Sequence, residues 1–364
     1  MSTFCRLPFE GLDITPQGEY KPCCKYKNTV ATSLKEYIDS DELQNIKADF
    51  FQGKRPVGCS RCWEDEDAGI ISKRQLSNQQ LESTKESTTY KIISFPMGNM
   101  CNLACRHCSS YPSSRWAETE NKLKDIIPGI RVHKFQQHYR DIELIEQIKL
   151  LSKDAVLLEF PGGEPFYTGV EQHKDYLRFL LDYTPEHKSL HYMTNGTIFP
   201  DDELWEIWKQ FKNVDIQISL DDIGERFEYM RWPAKWDEVY QNIKRYQKKG
   251  NIQLSISYTV SILNVYYLPE FLLWCEEEEL PKPYIGLVAH RPHYSIQNLP
   301  TEVKLEVVKK LSNPETKFVI DYMMTNTTLN TITEFNLWTN ALDELRQQEY
   351  SRVFPEFAQH LKGL

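Results

Sequence analysis

Three thiols stand within eight residues in Cys101-Asn-Leu-Ala-Cys105-Arg-His-Cys108. Three thiolates so spaced can wrap one metal centre. Four-coordinate zinc normally takes a fourth protein ligand, whereas a cubane iron-sulfur cluster held by three cysteines leaves one iron free to bind another molecule. His107 could supply the fourth zinc ligand, but its place between Arg106 and Cys108 is expected to turn its ring away. A second set, Cys5, Cys23, Cys59 and Cys62, has the make-up of a four-thiolate site. Zinc is the ordinary occupant of two separated cysteine pairs. Cys24 is a spare thiol, either a substitute for Cys23 or a buried filler, and Cys275 in Phe271-Leu-Leu-Trp-Cys reads as core packing.

The elements that must hold these residues can be read from periodicity. Short apolar runs at 91–95, 155–160, 189–193, 214–219, 253–259 and 284–288 alternate with helical patterns, which predicts six βα units and a parallel sheet. Six units make a partial barrel, because the tail reads as helices, for example 302–311 and 336–347, instead of two further units. The three-cysteine loop follows the first strand, beyond its C-terminal end, where parallel barrels place their chemistry. The second strand ends in Pro161-Gly162-Gly163-Glu164-Pro165, the third in Thr194-Asn195-Gly196-Thr197 and the fourth in Ser219-Leu220-Asp221-Asp222. Upstream, residues 11–24 alternate about Pro16-Gln17-Gly18, predicting a hairpin that delivers Cys23 and Cys24. A helix capped by Ser33 runs on to about Gly53, before the Cys59-Ser60-Arg61-Cys62 knuckle. The expected organisation is a small metal-dependent unit over 1–75, a polar linker over 76–89, the barrel over 90–295 and a helical segment over 296–364.

The four strand-end segments together resemble the radical S-adenosylmethionine (SAM) superfamily over about residues 90–290. CNLACRHC is similar to its CxxxCxxC loop, Gly162-Gly163-Glu164 to its GGE motif, Thr194-Asn195-Gly196 to its T-N-G segment and Ser219-Leu220-Asp221 to its S-x-D motif. The resemblance implies that Cys101, Cys105 and Cys108 hold a 4Fe-4S cluster whose open iron chelates SAM. It implies SAM contacts from Gly162, Gly163, Glu164, Thr194, Asn195, Ser219 and Asp221, with the Glu164 carboxylate facing the SAM ammonium. Reductive cleavage of SAM to a 5′-deoxyadenosyl radical and hydrogen abstraction from a substrate C–H bond would follow, with electrons from a flavodoxin or ferredoxin. Gly18-Glu-Tyr-Lys-Pro-Cys23 is similar to the G-x4-C element of the twitch and SPASM auxiliary-cluster modules, here placed N-terminally. On that resemblance Cys5, Cys23, Cys59 and Cys62 hold a second 4Fe-4S cluster, with zinc as the alternative.

Composition narrows the partners. With 43 basic against 52 acidic residues the net charge is −9, which disfavours nucleic acid, and no apolar run is long enough to span a bilayer. The opening MSTFCRLPFEGLDI lacks a secretory pattern, so a cytoplasmic setting with reduced thiols is expected. A peptide or a small metabolite or nucleotide is the expected substrate; a non-catalytic iron-sulfur or zinc scaffold is the alternative that a SAM pocket disfavours. His290, His293, Tyr258, Arg231 and Trp232 are candidates for the cleft wall without an assigned catalytic role.

Overall fold

The computed structural model describes residues 3–67, 69, 71–81, 89–288, 291–311, 313–325 and 332–361. Its frame is one eight-stranded sheet: β1 (Gly11–Ile14), β2 (Tyr20–Lys21), β3 (Ile92–Ser94), β4 (Leu157–Phe160), β5 (Ser189–Thr194), β6 (Asn213–Ser219), β7 (Gln253–Val260) and β8 (Tyr284–Leu287). The spatial order is β2-β1-β3-β4-β5-β6-β7-β8. β3 to β8 are the six predicted strands and pair in parallel, each step crossing over through helix as parallel neighbours require. β2 and β8 are the two edges, so the sheet is open. Residues from both ends of it, Asp13, Lys21 and Leu287, nevertheless line one cleft, so the sheet curls as a partial barrel does.

The predicted hairpin forms, but β1 also pairs in parallel with β3, so the N-terminal segment extends the barrel sheet. Leu12, Ile14, Tyr20 and Tyr37 belong to the main apolar core. The rest of the segment has an apolar cluster of its own, including Leu7, Tyr26, Ile46, Phe50 and Trp63. The single helix expected after Ser33 is two, Leu34–Asp39 and Asp41–Phe51, because Ser40 adopts extended backbone and caps the second as Ser33 caps the first. The helix Lys73–Gln80 runs into the stretch expected as a linker, of which 82–88 lie outside the described residues.

Strand alternation separates the two faces. On β6, Val214, Ile216 and Ile218 are buried beneath the helices, while Asp215, Gln217 and Ser219 are only half-buried on the inner face. The register aligns Asp13, Ser94, Glu159, His191, Asp215 and Gln253 in one row across six parallel strands, so the inside of the curl is polar. Within that row His191 Nδ1 meets Asp215 Oδ2 at 2.6 Å, and Lys73 reaches Glu159 at 2.5 Å. Among the described residues no helix is long and apolar enough to cross a membrane.

Candidate metal centres and cofactor cleft

The three-cysteine loop is fixed from several sides before any cofactor is considered. Asn99, after β3, donates to Ser110 O (3.1 Å) and Lys134 O (2.9 Å) and accepts from Gln136 N (2.8 Å), tying the loop's base together. Ala104 N donates to Trp232 O and Arg106 N to Met230 O, so the loop backbone pairs with the segment after β6. Trp116 Nε1 and Arg291 Nε donate to the carbonyls of Cys105 and Cys108, both at 2.8 Å. These bonds leave all three thiols half-buried on the wall of a cleft of about 1060 Å³.

Burial raises all three thiol pKa values, Cys101 to about 12, and the thiolates of Cys101 and Cys105 push Cys108 up further. Without a cation to replace their protons these are thiols. A clustered, desolvated, mutually repelling sulfur set is the chemistry of a site that a cationic metal centre stabilises by displacing protons. Among the described residues no three Cys, His, Asp or Glu side chains are grouped to hold a single ion. The sulfurs therefore border a space instead of closing on a point.

Gly162, Gly163, Thr194, Asn195, Ser219 and Asp221 line the same cleft as the three thiols. Gly162 and Gly163 have φ of +76° and +57°, and a Cβ on Gly163 would lie 2.4 Å from Met100 O. The second glycine is thus required by the approach of the cysteine loop's own backbone. Glu164 is turned inward: its carboxylate accepts from Thr194 Oγ1 (2.8 Å), Asn195 N (2.7 Å) and Phe166 N (3.3 Å), and burial raises its pKa to about 7. Asn195 Nδ2 donates to Asn102 Oδ1 (2.9 Å) and lies 3.9 Å from Cys101 Sγ.

Asp221, at φ +65°, pairs with Arg231 at 2.7 Å and accepts from Thr259 N at 2.8 Å. Against the upward push of burial, the Arg231 guanidinium brings its carboxyl down to about 2. Arg231 Nη1 in turn stands 3.9 Å from Cys105 Sγ, linking the S-x-D segment to the cysteine loop. His107 contacts Ser261 Oγ at 2.9 Å through Nε2 and turns Nδ1 to Asp221 at 3.6 Å.

Residues 95–270 match the Radical SAM superfamily. The match covers just under half of the chain. Over 170 residues it is 26% identical to a cysteine-type anaerobic sulfatase-maturating enzyme of Clostridium novyi (strain NT), covering 43% of this chain and 41% of that relative. The chain therefore spans about two fifths of that relative's length. Two solved structures are similar: native anSMEcpe with bound AdoMet (15% identity, TM-score 0.47, 65% of this chain and 63% of the other) and Streptococcus suis SuiB bound to S-adenosylmethionine (13%, 0.39, 90% and 59%).

Outside the matched segment, Cys5, Cys23, Cys59 and Cys62 border one small pocket of about 10 Å³ with Leu7, Tyr26, Phe50 and Arg74. Burial raises the pKa of each of these thiols, Cys59 to about 12, and neighbouring cysteines push Cys5, Cys23 and Cys59 higher. Arg74 is held at this wall by Glu66 (2.6 Å) and Phe4 O (2.7 Å). Cys24 lines the main cleft instead of this pocket.

Several cleft candidates lie elsewhere. Tyr258 is fully buried under the helix Leu268–Glu277, its ring 4.5 Å from Phe271 and its hydroxyl donating to Asn264 O. His293 is buried, stacked on Trp338 at 5.2 Å, with its pKa lowered to about 3 by burial. Trp232 lies against Arg115 and Arg346, and His290 lies outside the described residues. Cys275 is core, as expected. What the sequence did not indicate is the part played by the helix Ile332–Arg346: Asp343 pairs with Arg106, and Arg346 Nη2 donates to Ala104 O at 2.8 Å. No local pattern marks such partners, which lie some 240 residues from the loop.

Proposed function

We propose that this chain is a radical SAM enzyme in which Cys101, Cys105 and Cys108 hold a 4Fe-4S cluster. Gly162, Gly163, Thr194, Asn195, Ser219 and Asp221 would form the SAM pocket, with Glu164 holding its wall. One observation carries the reading: the three thiols and the ends of β4, β5 and β6 share a single cleft. When bound, the cluster and SAM supply a carbon radical that removes hydrogen from a substrate C–H bond. The chain's own part is positional. Asn99 and Arg291 fix the thiol loop, the Glu164 network fixes the strand-end turns, and the polar inner face of the sheet offers hydrogen bonds to a substrate.

Cys5, Cys23, Cys59 and Cys62 fit a second 4Fe-4S cluster, supported by their common cavity and by the resemblance to twitch modules, with zinc as the competing occupant. A peptide is the first substrate class, since the Clostridium novyi relative is named as a maturating enzyme, and a small metabolite or nucleotide is the second. Flavodoxin or ferredoxin in the cytoplasm suits the required electron. Anaerobic reconstitution with SAM and dithionite should yield 5′-deoxyadenosine, and Cys105→Ala should abolish it. Undiminished 5′-deoxyadenosine from that variant would overturn the assignment.

A further inference from the structure

Four guanidiniums back the three-cysteine loop, and three of them have a carboxylate of their own: Arg106 with Asp343, Arg231 with Asp221, and Arg291 with Glu120. Arg346 is different. It is 8% exposed, and Nη2 donates to Ala104 O, but Nε and Nη1 are buried without a hydrogen-bond partner. Among the described residues no carboxylate pairs with it. Its surroundings are the rings of Trp116 and Trp232, 5.2 and 4.9 Å from the guanidinium, and the like charge of Arg106, which repels it. A buried, unpaired cation between two indoles is costly unless an anion offsets it.

The acidic groups in its field are Tyr294, Cys105 and Tyr229, and of these Cys105 is the residue after the carbonyl that Arg346 holds and the one that a metal centre would turn into an anion. We infer that Arg346, brought in by a helix outside the matched segment, is the buried countercharge of the three-cysteine centre. This rests on the reading that the centre holds an iron-sulfur cluster. A three-thiolate cubane is anionic in both oxidation states and gains one more negative charge on reduction, and cluster potentials follow net charge and surroundings. Arg346 therefore favours the loaded centre over the empty one and the reduced cluster over the oxidised one. It is a positioning and charge-balancing residue, with no contact to substrate required.

The test compares Arg346→Gln, which keeps a donor for Ala104 O but removes the charge, with Arg346→Lys, which keeps the charge. In an anaerobic redox titration followed by electron paramagnetic resonance, the signal that responds to added SAM should shift to a more negative midpoint in the Gln variant. It should stay near the parent's value in the Lys variant. The empty Gln variant should melt at or above the empty parent, and its gain in melting temperature on cluster loading should be smaller. Loss of the centre from the Gln variant but not from the Lys variant also supports the inference. A Gln variant with full iron content, the parent's midpoint and the parent's gain on loading would overturn it. A parent protein that takes up no cluster on Cys101, Cys105 and Cys108 would instead overturn the reading beneath it.

Discussion

Glu164 accepts the backbone N–H of Asn195 at 2.7 Å, which makes the GGE turn and the T-N-G turn one hydrogen-bonded unit. Burial raises the Glu164 carboxyl from 4.5 to about 7 despite three donors. The folded state then holds a proton that the unfolded state releases at lower pH, so the stabilisation is complete below about pH 4.5 and is lost as pH rises to about 7. In Glu164→Gln this part of the pH dependence should vanish. The amide should also cost roughly 1–3 kcal/mol, because its NH2 must face a donor. Melting curves of parent and variant across pH 4.5–7.5 check this; parallel curves would contradict it.

Gly163 and Gly224 share a φ of +57° but differ in surroundings: a Cβ on Gly163 would meet Met100 O at 2.4 Å, while Gly224 has nothing within 4 Å. Alanine at either position incurs left-handed backbone strain of about 1–2 kcal/mol. At Gly163 overpacking should add roughly 1–3 kcal/mol and displace the cysteine loop. Urea unfolding of both variants, with iron content after reconstitution, separates the two effects. Equal losses at the two sites would refute the clash.

Asp221 and Arg231 form a buried ion pair at 2.7 Å, so removing one charge strands the other. Asp221→Asn should destabilise by about 3–5 kcal/mol, and adding Arg231→Gln should restore part of it. Because the Asp221 carboxyl lies near 2 in the fold against an ordinary 3.8, its stabilisation is present above pH 4 and fades as pH falls towards 2. A double-variant cycle showing strict additivity would mean the pair is not coupled.

Cys23 and Cys24 are neighbours in sequence but face different cavities. Cys23→Ser should therefore lose the metal of the N-terminal site, whereas Cys24→Ser should retain it. Iron and zinc assays on both, in a background lacking Cys101, Cys105 and Cys108, distinguish the outcomes and identify the metal. Equal loss from both would place Cys24 in the ligand set.

All six strands of the β3–β8 series were legible in the sequence, because apolar runs buried under helices persist whatever the partners are. So was the gathering of chemistry at strand ends, which follows from parallel pairing. The joining of β1 to β3 was not legible, since a four-residue strand carries no sign of which edge it extends. Glu164 shows the same limit at finer scale: the resemblance implied a carboxylate facing SAM, and its hydrogen bonds from Thr194 and Asn195 could not be read from the sequence. Tyr258 and His293 sit in strand and loop as read, but alternation and stacking on Trp338 bury them. Arg346 was invisible because its role depends on contact with a loop far away in sequence.

That same distance sets an order of assembly. Ala104 and Arg106 find their partners Arg346 and Asp343 some 240 residues further along the chain. On a ribosome the cysteine loop would emerge long before the helix that completes its surroundings, and domains fold as their residues become available. Until Arg346 arrives, the loop has its thiols but not its full enclosure. On the proposed reading, stable metal capture at Cys101, Cys105 and Cys108 thus belongs after synthesis has passed Arg346.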